Sequence, residues 1–433
     1  MMIVVITMIT NMSVYSLALK IIDECIINDA SFASLTKQIK KEALFNKEDI
    51  KQAMTLSASS LRRYLAIEYA FKDLLTQFSD HLKNSLIILI ANELFFRIDS
   101  FENVCVEANK VFEELNSKFP KDELKTALNK INDKSKLIPE TIEENSPLYL
   151  SLRYNCPLWV VKMWIKHYDF DATKLILRSL TKTNEYFGII NKNLVSYDWC
   201  LEQENIIESG YYGVVKTKDE TPIKNHPLAK EHKIYPFSPA LNDVLTMMDI
   251  DQLRGIAFYA GTPTNIYFKL YSSFGKDIKF DYIAADEAYY VGKEDFEHLK
   301  MRNIFIYKGE PSSLIACISK PVHVMFCLPA CSNYSALRYD PEAFKHMKQE
   351  DLDNFILKEK ETLEECSKYV EDGGELLYLI PTISKKEGPS VVYDFINAHK
   401  EFSLIKSQQC FPFKKHNSCF YYALFKKKEK END

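Results

Sequence analysis

Glycine is scarce in this chain, eleven among 433 residues, which leaves few loops able to bring bare backbone close to a phosphate or a cofactor. Arginine is scarcer still: eight of the fifty-five basic residues are Arg and forty-seven are Lys, a skew that points to an AT-rich coding sequence more than to a chemistry. The ten cysteines show no CxxC pair and no regular framework, so free thiols in a reducing compartment are expected rather than disulfides. Cys327 and Cys331 are the closest pair, and no two further ligands stand at zinc spacing. The formal charge of −5 argues against indiscriminate binding to nucleic acid and leaves room for a local basic face. The apolar start, MMIVVITMIT, is too short to span a bilayer and lacks the positive lead of a secretory signal. An extended amino-terminal helix and a start at Met12 both stay open, and a cytoplasmic protein without a membrane partner is expected.

What is there is ordinary globular material, 46% hydrophobic and 27% charged, in a chain long enough for two or three cores. From about Ser13 to Leu128 apolar residues recur at three and four with few breakers, which predicts an all-α domain over 12–128. Within it, Asn84 to Leu115 reads as a buried helix, a turn near Asp99 and an amphipathic helix. Residues 129–147 have the composition of a linker. Alternation in YFGIINKNLVSYDWC and YYGVVKTK predicts a small α+β subdomain over 148–228. Beyond it, RGIAFYAG, KFDYIAAD, NIFIYKG, VHVMFCL, GGELLYLI and CFYYALFKK are six strands separated by helix-length segments, a doubly wound α/β (Rossmann-type) domain over 229–427.

Several of these segments carry a more specific pattern. Ser151, Arg153, Tyr154, Pro157, Trp159 and Val160 stand in LYLSLRYNCPLWVV; Cys331-Ser332 follows FCLPA; and Gly373-Gly374-Glu375-Leu376-Leu377-Tyr378 leads into Ile380-Pro381-Thr382. In order and spacing they resemble the RsmB-type (Sun/Fmu) ribosomal RNA cytosine-5 methyltransferases, from about residue 20 to 427, with a NusB-like helical domain in front. The resemblance implies a NusB-like RNA-binding domain, a small RNA-contacting subdomain and an S-adenosylmethionine-dependent methyltransferase domain, in a monomer that takes ribosomal RNA or another structured RNA.

The same resemblance implies where chemistry would sit. In the family a Cys thiolate adds to C6 of a flipped cytosine before C5 takes the methyl group, and a second Cys assists product release. Cys331 matches the second Cys, but the attacking position is Pro381, which supplies no thiol. The covalent route loses its first step, unless Cys331 attacks from the other side of the pocket. The cofactor turn matches Tyr259 to Asn265, with Ala260 and Gly261 at its start and Pro263-Thr264 in place of two glycines, a change that restricts close approach. Asp286 matches the acid on the ribose, Glu310 the acid facing the adenine, and Arg338 and Lys345 match phosphate contacts. The sequence thus predicts an RNA-binding homologue that has lost methyl transfer. The open alternatives are an active enzyme using Cys331 and an interaction scaffold with neither ligand.

Overall fold

The computed structural model describes residues 13–42, 46–131, 134, 137–181, 186–211, 213–219, 221–248, 320–414 and 419–430; between 249 and 319 it describes 256–260, 280–284, 304–308 and the single residues 269, 293, 297 and 318. The chain divides into two compact units. One comprises residues 1–181 with 336–348, the other residues 182–335 with 349–433.

The first unit is helical: α1 (Val14–Ile26), α2 (Phe32–Glu42), α3 (Lys47–Leu61), α4 (Tyr64–Ala70), α5 (Lys72–Leu75), α6 (Asp80–Ala91), α7 (Phe101–Glu114), α8 (Lys121–Lys130), α9 (Pro147–Tyr154), α10 (Leu158–Tyr168) and α11 (Phe170–Leu180). Caps fix several starts: Ser13 accepts from the Ser16 amide, Asn46 from Asp49, Ser100 from Asn103 and Asp169 from Ala172, each satisfying a donor that the first helical turn leaves open. The centre is α6, where Leu86 to Ala91 are wholly buried, as expected of a segment apolar all round. Its polar residues are paired: Asn84 accepts from the Tyr64 hydroxyl at 2.9 Å and the Ser85 carbonyl from Tyr15 at 2.8 Å. The turn near Asp99 is present, preceded by a π-helical turn over Asn92–Phe96 that Arg97 ends at φ 45°.

The segment 336–348 belongs to this helical unit although its sequence lies within the α/β part. Phe344 stacks on Tyr64 at 5.3 Å, Glu342 accepts from the Phe32 amide at 2.8 Å, and the Trp159 indole donates to the Met347 carbonyl at 3.0 Å. The compact division therefore differs from the sequence boundaries at both ends: α9 to α11 join the helical unit, and so does this excursion from the α/β part.

The second unit holds two sheets. The smaller is antiparallel, in order β2-β3-β1-β4, from β1 (Phe187–Ile190), β2 (Ile206–Glu208), β3 (Val214–Thr217) and β4 (Ile234–Pro236). This is the expected small α+β element, extended past residue 228 by β4. The larger has seven strands: β5 (Ile256–Ala260), β6 (Phe280–Ala284), β7 (Ile304–Lys308), β8 (Val322–Leu328), β9 (Val370–Ile380), β10 (Phe402–Cys410) and β11 (Phe420–Lys427), in order β10-β11-β9-β8-β5-β6-β7. β5 to β9 are parallel to one another, while β11 runs antiparallel between β9 and β10. All six expected strands are present, and β10 is added. The sheet order reverses between β5 and β8, so the carboxyl ends of those strands form the crevice in which open α/β sheets bind ligands.

Candidate active site

β8 and β9 lie side by side, with Cys327 opposite Tyr378, and they end at Leu328 and Ile380. The two turns that follow therefore emerge together. Pro381 is the first residue beyond β9, and its carbonyl accepts from the Ser335 amide at 3.4 Å. Pro381 thus stands beside the segment that follows β8 and carries Cys331.

A buried carboxylate ties the turns together. Ser332 donates its amide to Glu387 Oε1 and its hydroxyl to Oε2, both at 2.7 Å, and the Thr382 hydroxyl donates to Oε2 at 3.0 Å. The two hydroxyl oxygens are themselves 2.9 Å apart. The Tyr378 hydroxyl holds the Glu387 carbonyl at 2.9 Å, and the Gln409 amide donates to the Thr382 carbonyl at 2.9 Å. Charge-assisted bonds of this length are the stronger class.

A second carboxyl faces the first. Glu359 lies on the helix Asp351–Ser367 and is fully buried. Neither of its oxygens has a hydrogen bond of ordinary length. Burial, then the neighbouring charge of Glu387, push the Glu359 carboxyl up to about 10. Glu387 is raised by burial too, but the donors on Ser332 and Thr382 pull against that rise. Burial and its neighbour thus hold Glu359 protonated at neutral pH, while the donors on Ser332 and Thr382 favour the charged form of Glu387.

Cys331 sits against this pair. The residue is half-buried, and desolvation followed by the charges of Glu387 and Glu359 pushes its thiol well above the ordinary range. A nucleophilic thiolate needs the opposite surroundings, cationic and lowered.

Other expected site residues are spread differently. Ala260 ends β5, opposite Ala284 and Leu328 in register, at the switch-point edge. Gly261, Asp286 and Glu310 lie outside the described residues. Arg338 is buried, its guanidinium donating to the Ser179 carbonyl at 3.2 Å within the helical unit, so it braces that unit instead of facing solvent. Lys345 is half-buried on the short helix Ala343–His346. Glu359 and Glu387 were not among the residues that sequence reasoning picked out, and Thr382 entered only as part of the run Ile380-Pro381-Thr382. Glu359 had a signal: Leu352, Ile356, Glu359, Leu363 and Cys366 form one stripe at helical spacing, with a single acid where the stripe is otherwise apolar.

No protein-family model matches this chain, and no curated protein matches it. Solved structures do. PH0851 superposes with a TM-score of 0.73 at 16% identity, over 96% of this chain and 99% of that one. A methyltransferase homolog protein from Pyrococcus horikoshii gives 0.55 at 13% identity, over 65% and 98%. NSun6 from the same organism, solved with SFG, gives 0.53 at 11%, over 61% and 97%. The chain has the fold of these proteins. Among the described residues no helix is long and apolar enough to cross a membrane, and no cluster of His, Cys, Asp and Glu could hold a metal ion.

Proposed function

We propose that this chain is an RsmB-like homologue that binds structured RNA, ribosomal RNA first, through a NusB-like helical part, and does not methylate it. The observation that carries the reading is the pair of turns beyond β8 and β9. The position that would supply the attacking thiolate is Pro381. The neighbouring thiol, Cys331, is desolvated and faces Glu387 and Glu359. Addition to cytosine needs a thiolate at the moment of attack, and a thiolate at Cys331 would have to form in a desolvated place beside two buried carboxyl groups.

S-adenosylmethionine is the ligand that the crevice at β5 and β8 would hold. NSun6, with the same fold, was solved with SFG, an analogue of that cofactor. In this chain Ala260 ends β5, and the sequence that follows has Pro263 and Thr264 where the resemblance implies two glycines, which argues for weak binding.

The reading is tested by incubating the full chain with ribosomal RNA and labelled S-adenosylmethionine, followed by bisulfite sequencing. RNA retention at low salt without 5-methylcytosine is expected. Methylation that a Cys331→Ala variant abolishes would establish an active enzyme using Cys331 instead, and loss of RNA retention would leave an interaction scaffold.

A further inference from the structure

Six of the eight arginines fall in the helical unit, at 62, 63, 97, 153, 178 and 338, leaving Arg254 and Arg302 for the other. In a chain that uses lysine almost throughout, the guanidinium is concentrated in one half. Three of the six converge.

Arg62 ends α3 and Arg63 precedes α4. Arg153 lies in the last turn of α9. The end of α9 is clamped across the α3–α4 junction by Asn155, in the left-handed region at φ 51°. Its side-chain amide donates to the Leu61 carbonyl at 2.9 Å, and its oxygen accepts from the Leu65 amide at 3.0 Å. Those two contacts flank Arg62 and Arg63 in sequence, so the clamp brings Arg153 beside them. The Arg63 guanidinium lies over Phe95 at 4.3 Å and donates to the Ser59 hydroxyl at 2.6 Å. Arg62 donates one Nη to the Tyr339 carbonyl at 3.2 Å. Both Arg62 and Arg153 are exposed.

A helix carboxyl end favours one cation, which accounts for Arg62 and Arg153 singly. It does not account for a third guanidinium near both of them. Arg63 feels the repulsion: desolvation, then Arg62 and Arg153, pull it below its usual range. Asp340 and Glu342 act on Arg62, while among the described residues no ion pair or hydrogen bond of the Arg153 guanidinium is found. Clustered like charges cost energy unless an anion answers them. Planar forks on a rigid base, one backed by an aromatic ring, suit phosphate oxygens and unstacked bases.

We infer that Arg62, Arg63 and Arg153, backed by Phe95, form a contact site for the phosphates of a structured RNA on the helical unit. The inference rests on the RNA-binding reading above and adds the place of contact.

The test uses the full chain and a fluorescein-labelled ribosomal RNA hairpin, titrated by anisotropy across a salt series. Arg62→Gln/Arg153→Gln removes two exposed cations without opening the core, and circular dichroism checks the fold. The double variant is expected to lose roughly tenfold or more in affinity and to flatten the salt slope by about two phosphate contacts. Arg153→Lys, which keeps the charge and loses the fork, should fall between. If the wild-type chain binds the hairpin and the double variant binds it with the same affinity and slope, the site is overturned while the RNA-binding reading stands. If the wild-type chain does not bind at all, both fall.

Discussion

Ser332 gives both its amide and its hydroxyl to the carboxylate of Glu387, at 2.7 Å each, so a residue 55 positions away in sequence holds the turn that carries Cys331. Glu387 also takes the Thr382 hydroxyl, one residue past Pro381. The two turns at the mouth of the α/β crevice are thus set against each other by one buried carboxylate as well as by the backbone bond from Ser335 to Pro381.

Glu387→Ala should therefore destabilise the α/β unit by roughly 2–4 kcal/mol, because it leaves the Ser332 amide and two hydroxyls without their acceptor in a dry site. Urea unfolding read at the midpoint checks this. A cost within a few tenths of a kcal/mol would show that the turns hold without the carboxylate.

Glu359→Gln should stabilise the protein, and more so as pH rises. The wild-type carboxyl has its folded pKa raised to about 10 by burial and by Glu387, far above the usual range for an unfolded Glu. Sign follows from linkage: the folded state keeps a proton that the unfolded state releases, so stability is intact below the unfolded value and declines as pH climbs toward the folded one. A glutamine has no proton to keep. Melting temperatures between about pH 5 and pH 9 should diverge, with the variant falling less steeply; parallel curves would rule out a protonated Glu359.

Gly374→Ala should cost about 1–3 kcal/mol. A Cβ there would meet the His323 carbonyl oxygen at 2.7 Å and the Glu371 carbonyl oxygen at 2.9 Å, both backbone atoms that cannot swing aside. The site is where the β8–β9 register shifts between Val322 and Val324. Thermal melts of the variant decide it, and an unchanged melting temperature would mean the strands part easily at this end.

The parts of the fold that could be read from sequence are those fixed by local pattern. VHVMFCL and GGELLYLI are buried strands, and continuous apolar runs reveal them without further help. FSLIKSQQC does not, because β10 is an edge strand whose residues from Ser403 to Gln408 are exposed, and an edge needs neither alternation nor apolarity. The return of 336–348 to the helical unit was illegible for another reason. It depends on Phe344 meeting Tyr64, a contact between residues 280 apart that no local periodicity encodes. The site divides differently: Pro381 and Cys331 were singled out by what the family resemblance implies, whereas Glu387 became visible only when Ser332 and Thr382 were seen to point at it.

Pro381→Cys alone should not produce methylation. Covalent transfer needs a thiolate, a flipped cytosine and the methyl donor at once, and groups that act as a unit return almost no activity when one is restored among several missing. A new thiol at 381 would sit next to Thr382, whose hydroxyl is bound to the buried Glu387, so its own ionisation would be opposed by the same buried surroundings that oppose Cys331. The sequence after β5 would still have Pro263 and Thr264 in place of two glycines. Bisulfite sequencing of RNA incubated with this variant and S-adenosylmethionine should read no 5-methylcytosine above the wild-type background. Methylation by the single substitution would mean that the cofactor crevice was competent throughout, and that the chain lacks only its nucleophile.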